Sequence, residues 1–414
     1  MKVVIMAGGK GTRIASVNSD VPKPMIPIDG KPILEYQINA LAAQGYCEII
    51  LIIGHLGHVI RDYFEDGSKW NVQISYIEEN TPLGTAGALF YLKEQIKDDF
   101  LLLNGDIIFD VDIRRFLAYH KAQGTMATIL THPNSHPYDS GIIVADNDGR
   151  ATNWLHKEDP RLWYRNRVNA GLHMLSPRIF SFFSDLQKKD LDRDILKPLI
   201  IQRELSVYDS PEYIKDMGTP DRYYSVIEDI HSGKVAAKNL ARKQKAIFLD
   251  RDGTINKYVG FLTNIDEFEL LDGVAEAIRQ INESGYLAIV ASNQPVTARG
   301  EVSPEELQEI HNKMETLLGQ KGAYLDAIFY CPHHPHKGYE GERPEYKIEC
   351  ECRKPKPGML LAAAEKYNID LTQSWMIGDS DNDIEAGQAA GCRVIKVNTN
   401  SSELSSAVKM ILNQ

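Results

Sequence analysis

The sequence contains no apolar run close to the roughly twenty residues that a membrane-spanning helix needs. Its first residues, MKVVIMAGG, place glycines directly after a short apolar segment and lack a small-residue cleavage pattern, so we expect no secretory signal. Basic residues are outnumbered, and the formal net charge is −11. This charge argues against nucleic acid as a main partner. We therefore expect a cytoplasmic protein that binds neither a membrane nor nucleic acid.

Cysteine is also scarce. There are five cysteines, an odd number, and three of them fall within residues 331–352. A secreted protein held by disulfides would have more cysteines, in an even number. The pattern favours a reducing compartment and a metal site.

The length and the order of apolar runs predict the fold class. A chain of 414 residues is longer than a single hydrophobic core usually supports, which indicates two domains. Strand-like runs alternate with helical patterns, which predicts α/β domains, each a mostly parallel sheet flanked by helices. Residues 231–245 are basic and lack an apolar face. We predict domains over 1–235 and 245–414, joined by a linker over 236–244.

The first half contains a glycine-rich loop and two separated aspartates. MAGGKGTR follows the first strand, and its glycines let backbone N–H groups face a bound anion. Arg13 and Lys23 are placed to neutralise a polyphosphate. Asp106 ends the strand-like run LLLNGD, and Asp216 lies in DMGTP in a similar setting. Ligands bind at such strand ends in open α/β sheets.

These motifs resemble the sugar-1-phosphate nucleotidyltransferases over about residues 1–230. AGGKGTR, PKPM, LGTAGAL, NGD, VNAGLHML and DMGTP occur in that family's order. The resemblance implies a Rossmann-like fold, in which Asp106 and Asp216 hold Mg²⁺ and Lys23 holds the reacting phosphates. It also implies roles for a larger set: the triphosphate loop of Gly8, Gly9, Gly11, Thr12 and Arg13, the nucleoside loop of Gly84, Thr85 and Gly87, and the sugar site of Lys157, Asn169 and Gly171.

One position departs from that family. Lys157 lies in LHKEDP, where His156 replaces the glutamate that the family often has before this lysine. The chemistry still suits the residues present, because attack of a sugar phosphate on an α-phosphate needs alignment and charge neutralisation more than a covalent catalyst.

The second half contains paired carboxylates in FLDRDGTIN. Two aspartates at the end of a buried strand cost stability unless a cation or a reaction compensates. IVASNQ, CRKPKPGM and MIGDSDNDIEAG follow in order, and together the four motifs resemble the haloacid dehalogenase-like phosphatases. The resemblance implies that Asp250 is the nucleophile and Asp252 the acid and base. It further implies phosphate contacts from Ser292, Asn293, Arg353 and Lys354, and Mg²⁺ held by Asp250, the Asp252 backbone carbonyl and Asp379.

The clustered cysteines form a candidate metal site. CPHH and CEC supply Cys331, His333, Cys350 and Cys352, and three thiolates with one imidazole are typical of structural zinc. His334 and His336 are neighbouring alternatives to His333, and the spacing leaves this choice open.

A zinc loop of this kind resembles a narrower branch, the D-glycero-D-manno-heptose 1,7-bisphosphate 7-phosphatases, with histidinol phosphate phosphatases as relatives. Arg299 fits that branch as a contact for the remote phosphate. The two resemblances together imply a bifunctional enzyme that uses sugar phosphates and a nucleoside triphosphate, GTP by resemblance. Two alternatives stay open: a mannose-1-phosphate guanylyltransferase joined to another phosphatase, and a transferase with a non-catalytic second domain. Whether copies associate into a homo-oligomer is also open.

Overall fold

A computed structural model of the chain describes residues 1–9, 14 and 20–414. The chain forms two compact units, and neither is continuous in sequence. The first unit consists of Met1–Thr131, Ile143–Trp154 and Asn169–Ala236, and the second of His132–Ile142, Leu155–Val168 and Ala237–Gln414. None of the helices in the described residues has both the length and the apolar composition needed to cross a bilayer.

Thirteen strands precede residue 240 in the described part of the chain. They are Val3–Met6 (β1), Pro27–Ile28 (β2), Lys31–Pro32 (β3), Glu48–Ile53 (β4), Gln73–Glu78 (β5), Phe100–Asn104 (β6), Ile107–Asp110 (β7), Ala127–His132 (β8), Ile142–Ala145 (β9), Ala151–Leu155 (β10), Val168–Leu175 (β11), Leu205–Asp209 (β12) and Tyr213–Asp216 (β13).

Nine of these strands form one sheet in the order β10-β9-β11-β6-β1-β4-β5, with β8 pairing β11 and β12 pairing β8. Strand β1 is parallel to β4 and β6, and β4 is parallel to β5, whereas β11 is antiparallel to β6. The central strands are continuous apolar runs because both faces of the sheet are covered. Since β1 and β6 are parallel neighbours, Gly8 and Gly9 after β1 and Asp106 after β6 lie at the same sheet edge.

Helices cover both faces of this sheet, and successive side chains of each strand pack on opposite sides. Ile5 packs in one core with Ile38, and Val4 packs in the other with Leu89. The helices in this half are Ile33–Ala42 (α1), Gly57–Phe64 (α2), Ile113–Gln123 (α3), Lys197–Ile201 (α4), Pro220–His231 (α5) and Lys234–Ala237 (α6), and a π-helix spans Leu191–Leu196.

The second unit contains a five-stranded parallel sheet. Its strands are Lys245–Leu249 (β14), Tyr286–Asn293 (β15), Ala327–Cys331 (β16), Trp375–Gly378 (β17) and Arg393–Lys396 (β18), and their order is β16-β15-β14-β17-β18. In this register Leu249 lies opposite Val290 and Ile377. The residues that follow β14, β15 and β17 are therefore brought together at one edge.

Five helices cover this second sheet: Val274–Glu283 (α7), Pro304–Gly319 (α8), Gly358–Tyr367 (α9), Asp381–Ala389 (α10) and Glu403–Leu412 (α11). Ile247 packs with Ile278 on one face, and Phe248 packs with Leu360 on the other. Helix α8 begins with a capping box of Ser303 and Glu306. The predicted fold class, two α/β parts with largely parallel sheets, is confirmed.

Candidate active sites

Three strand ends of the second unit surround a cavity of about 360 Å³. Strand β14 leads into this cavity at Asp250, β15 ends there, and β17 is followed there by Asp379. The cavity brings together most of the predicted phosphatase residues, namely Asp250, Asp252, Ser292, Asn293, Arg353, Lys354 and Asp379.

Lys354 is the buried cation of this cavity. Its Nζ donates to Asp250 Oδ1 at 2.7 Å, to Asp383 Oδ1 at 2.5 Å and to the Ala291 carbonyl at 2.6 Å. The backbone of Lys354 is also held, because its N–H donates to Asn293 Oδ1 at 3.0 Å and its carbonyl accepts from Asn293 Nδ2 at 2.9 Å. Lys354 is therefore fixed against the nucleophile predicted from the sequence.

Three carboxylates in this cavity lie close enough to share a cation. Oxygens of Asp250, Asp379 and Asp383 all lie within 4.8 Å of one another. Burial raises the pKa of Asp250 to about 7, although the charge of Lys354 opposes this shift. Burial also raises the pKa of Asp379. Hard oxygen ligands with excess negative charge fit a cation such as Mg²⁺.

Asp252 is held by three neighbouring side chains. Arg251 Nη2 donates to both carboxylate oxygens at 2.9 Å, Gln294 Nε2 donates at 2.7 Å and Asn256 Nδ2 at 3.0 Å. Burial acts to raise the pKa of Asp252, but the guanidinium of Arg251 and these hydrogen bonds together hold it below its usual value.

Arg299 lies between two aromatic rings. Its guanidinium carbon is 4.1 Å from the ring centre of Phe261 and 4.5 Å from that of Tyr339, and Glu301 pairs with it at 2.7 Å. Phe261 also lines the cavity. Arg299 is thus stacked on one wall of the phosphatase site.

The predicted metal site is assembled from the end of β16 and the loop before Lys354. Cys331 Sγ lies 3.5 Å from Cys350 Sγ and 3.2 Å from Cys352 Sγ, and the latter two lie 3.3 Å apart. Thiolates bound to one zinc ion at 2.3 Å in a tetrahedron are about 3.8 Å apart, so the spacing fits after a small expansion.

His333 is the histidine that the structure places with these cysteines. Its Nδ1 lies 3.3 Å from Cys352 Sγ and 3.6 Å from Cys331 Sγ. The ring of His334 instead packs edge-to-face against that of His336. Hydrogen bonds, that of Cys331 above all, lower the pKa of Cys352 to about 5. The same contact raises the pKa of Cys331, and binding of a metal would deprotonate both thiols.

The first unit contains a second and larger cavity of about 720 Å³. It lies where β1, β4 and β6 end. Six of the residues predicted for a nucleotide site line it, namely Gly8, Gly9, Lys23, Gly84, Thr85 and Asp106. Lys23 Nζ forms an ion pair with Asp106.

Asp216 is brought beside Asp106 by strand pairing. It ends β13 opposite Ile107, and the Met217 N–H donates to the Asp106 carbonyl at 3.0 Å. Arg222 Nη1 lies 2.9 and 3.0 Å from the two carboxylate oxygens of Asp216. Burial acts to raise the pKa of Asp216, but the charge of Arg222 outweighs it and lowers the pKa. The Asp216 carboxylate thus stays ionised, as a ligand of a divalent cation must be.

The predicted nucleoside loop is fixed by a following segment. Gly84 has φ +79°, and a Cβ there would lie 2.4 Å from the Lys189 carbonyl oxygen, so the close approach requires glycine. Thr85 Oγ1 accepts from the Leu191 N–H at 2.7 Å and donates to Asp190 at 3.3 Å. The start of the π-helix therefore holds the loop.

The remaining predicted sugar residues are placed as follows. Asn169 Oδ1 accepts from the Gly171 N–H at 3.1 Å, and Gly171, with φ +76°, packs on Asn104, which lines the larger cavity. Lys157 follows β10 and belongs to the second unit. Gly11, Thr12 and Arg13 lie outside the described residues.

Some residues of these sites were missed from the sequence. Asp383 lies four residues after Asp379, in the first turn of α10, and the repeated aspartates of GDSDND were a usable signal. Gln294 directly follows the predicted Ser292 and Asn293. Arg251 and Arg222 had no distinguishing pattern, because a single arginine near a carboxylate is common in any sequence.

Comparison with known proteins finds a different enzyme family for each of the two parts of the chain. The nucleotidyl transferase family model matches residues 2–233, and a HAD-hydrolase-like model matches residues 351–411. The D-glycero-beta-D-manno-heptose-1,7-bisphosphate 7-phosphatase of Pasteurella multocida is 46% identical over 147 residues, which cover 36% of this chain and 77% of that protein. The enzyme of the same name from Photorhabdus laumondii is 41% identical over 175 residues, 41% of this chain and 89% of that protein.

The chain belongs to the nucleotidyl transferase family and to the family of these phosphatases. It is therefore an enzyme with nucleotidyltransferase and phosphatase activities, as predicted from its motifs. Among solved structures, HddC from Yersinia pseudotuberculosis complexed with GMP-PN is 28% identical, with a TM-score of 0.48 over 55% of this chain and 99% of that chain.

Proposed function

We propose that this enzyme removes the 7-phosphate of D-glycero-D-manno-heptose 1,7-bisphosphate and then transfers GMP from GTP to the resulting heptose 1-phosphate, releasing pyrophosphate. The observation that carries this proposal is the presence of both activities on one chain whose phosphatase relatives are named for the heptose bisphosphate. Removal of the distal phosphate leaves a sugar 1-phosphate, the substrate class of a nucleotidyltransferase.

In the phosphatase reaction, Asp250 attacks phosphorus while the bond between phosphorus and the sugar oxygen breaks. Asp252 takes up a proton when the phosphate dianion binds beside it, because a like charge raises the pKa of a carboxyl group, and it gives this proton to the departing sugar oxygen. As a carboxylate it then takes a proton from water, whose oxygen attacks the aspartyl phosphate and frees inorganic phosphate and Asp250. Lys354, Ser292 and Asn293 hold the phosphoryl oxygens and limit repulsion between nucleophile and substrate. Arg353 provides a further positive charge at the cavity wall.

A magnesium ion fits beside these groups. Asp250, the Asp252 backbone carbonyl and Asp379 would hold it, with Asp383 near enough to orient them. Bound there, Mg²⁺ supplies charge neutralisation for the phosphoryl group.

In the transferase reaction, an oxygen of the sugar 1-phosphate attacks the α-phosphorus in line, and the bond to the β-phosphate oxygen breaks. The glycine loop, Arg13 and Lys23 would bind the triphosphate. Asp106 and Asp216 are carboxylates suited to a second Mg²⁺, which neutralises the same phosphates. Lys157 would bind the sugar phosphate.

The remaining assignments concern zinc, the remote phosphate and the compartment. We assign zinc to the cluster of Cys331, His333, Cys350 and Cys352, because three thiols and one imidazole make a closed tetrahedral set. We assign Arg299 to the phosphate that is not hydrolysed. The five cysteines form no disulfide, which suits the cytoplasm.

A substrate screen with purified protein tests the proposal. Inorganic phosphate is measured from both anomers of the heptose 1,7-bisphosphate and from histidinol phosphate, and pyrophosphate is measured from four nucleoside triphosphates with heptose and mannose 1-phosphates. We expect the heptose substrates and GTP to give the highest kcat/KM. Both anomers are tested because the relatives' names specify the beta bisphosphate.

The alternatives give different results in the same screen. A preference for mannose 1-phosphate with hydrolysis of histidinol phosphate would favour a fusion of unrelated specificities. Pyrophosphate release without any phosphate release would indicate a non-catalytic second domain. The phosphatase residues gathered in one cavity argue against that last outcome.

A further inference from the structure

Arg251 is a fully buried cation in the second unit, and the phosphatase reaction proposed above assigns it no part. Its relative exposure is 0%. Besides its contacts with Asp252, Nη2 donates to Gln294 Oε1 at 2.9 Å and Nη1 lies 3.3 Å from His311 Nε2. A buried charge persists only where its hydrogen bonds are satisfied, so these partners determine where the guanidinium lies.

Gln294 connects the same carboxylate to the phosphate-binding side of the cavity. Its amide oxygen accepts from Arg251, and its amide nitrogen donates to Asp252 Oδ2 at 2.7 Å and to Ser292 Oγ at 2.9 Å. The orientation of this amide is defined by its neighbours, because arginine only donates and a carboxylate only accepts.

His311 supports Arg251 from the opposite side. It lies within helix α8 and is 1% exposed, and its ring centre lies 5.2 Å from that of Tyr330, with the two rings tilted by 56°. Because the guanidinium only donates, Nε2 of His311 must accept, and the ring proton lies on Nδ1. An apolar side chain at this position would leave an arginine N–H buried without an acceptor.

We infer that His311 and Gln294 are positioning residues, which act through Arg251 to hold Asp252 where it protonates the leaving oxygen. This inference rests on the proposed phosphatase reaction but not on the identity of the sugar. An acid must stay within hydrogen-bond reach of the atom that it protonates, and a displacement of about 1 Å costs on the order of a hundredfold in rate.

The test compares two leaving groups in the first chemical step. An alkyl phosphomonoester needs protonation of its leaving oxygen, whereas p-nitrophenolate leaves without it. Single-turnover release of the alcohol or of nitrophenolate isolates this step from the later attack of water. For His311→Leu we expect release of the alcohol to fall about 10- to 100-fold and release of nitrophenolate to fall less than about threefold.

Two further variants separate positioning from folding. His311→Gln keeps an acceptor near Arg251 and should restore most of the alcohol release. Met314→Ala truncates another fully buried side chain of α8 and should leave the ratio of the two rates unchanged. Gln294→Met should show the same leaving-group effect as His311→Leu. It replaces His311→Leu in the test if His311→Leu does not fold.

Equal losses for both leaving groups in His311→Leu and Gln294→Met would overturn the inference, as would a His311→Gln variant no better than His311→Leu. Failure of the wild type to hydrolyse heptose 1,7-bisphosphate would instead count against the proposed substrate. The ratio is still measured with any alkyl phosphomonoester that the wild type accepts, so the two failures are distinguishable.

Discussion

Arg167 Nη1 lies 3.2 Å from Glu315 Oε1, and their side chains are 2% and 1% exposed. Arg167 Nη2 also donates to the Asp326 carbonyl at 2.9 Å. Residue 167 lies inside the stretch matched by the nucleotidyl transferase model, yet Leu155–Val168 belongs to the second unit and packs on helix α8 there. The second unit thus depends on a segment that is remote from it in sequence.

Breaking this ion pair should destabilise the second unit. We expect Arg167→Met to cost about 3–5 kcal/mol, because it removes a buried guanidinium that bonds both the Glu315 carboxylate and the Asp326 carbonyl. The measurement is the urea dependence of phosphatase activity. Arg279→Met, which breaks an exposed pair with Glu276, should cost less than about 1 kcal/mol. The prediction is wrong if the two variants lose similar stability.

The two activities should be separable by single substitutions. We expect Asp250→Asn to abolish phosphate release and leave pyrophosphate release near the wild-type rate, since the larger cavity has its own carboxylates. Asp106→Asn and Arg13→Ala should have the opposite effect. Both products are measured for each variant, and circular dichroism confirms the fold. Loss of both activities in a folded variant would contradict this division.

Zinc should stabilise the second unit without taking part in catalysis. Cys350→Ser removes one of four ligands, so we expect weaker metal binding and a lower midpoint of thermal inactivation of the phosphatase. Cys392→Ser changes a cysteine outside the cluster and should retain the metal. Elemental analysis of the purified wild type should find about one zinc per chain, and finding none would refute the assignment.

His173 should make the stability of the first unit depend on pH. Burial lowers its pKa to about 4, below the ordinary value of about 6.5. The unfolded chain therefore takes up the proton first, so stability is complete above pH 6.5 and is lost as the pH falls from 6.5 toward 4. Between pH 7.5 and pH 5 we expect a loss of about 2 kcal/mol.

The variant His173→Phe isolates this effect. It should reduce the pH dependence of urea unfolding, followed by transferase activity, by about the same 2 kcal/mol. His58→Phe replaces an exposed histidine and should leave the slope as in the wild type. An unchanged slope in His173→Phe would show that other groups cause the pH dependence.

Hydrolysis of the distal phosphate should precede nucleotidyl transfer. A second dianion on the sugar would be desolvated in an acidic protein, at a cost on the order of a hundredfold in rate. With GTP and heptose 1,7-bisphosphate, Asp250→Asn protein should form no GDP-heptose, and added heptose 1-phosphate should restore it. The proposed order is wrong if this variant converts the bisphosphate directly to a nucleotide-linked heptose phosphate at a rate comparable to that with heptose 1-phosphate.

Local patterns in the sequence were sufficient to predict the sheets, the phosphatase residues and the cysteine cluster. An apolar run such as that of β14 is enough to predict a buried strand. In a parallel sheet, the carboxyl ends of neighbouring strands meet at the same edge. Asp250 and Asp379 could thus be expected at the same edge of a sheet, although 128 residues lie between them in the sequence.

Tertiary structure decided the partners of buried polar groups. The spacing of CPHHPH favoured His333 but left His334 and His336 as alternatives, and only the path of the chain after β16 placed His333 among the thiols. Arg167 meets Glu315 across 148 positions of sequence, and Arg251 meets His311 across 60. No local periodicity encodes such pairs, because a buried charge is matched by whichever distant side chain the packing of helices and sheet brings within hydrogen-bond distance.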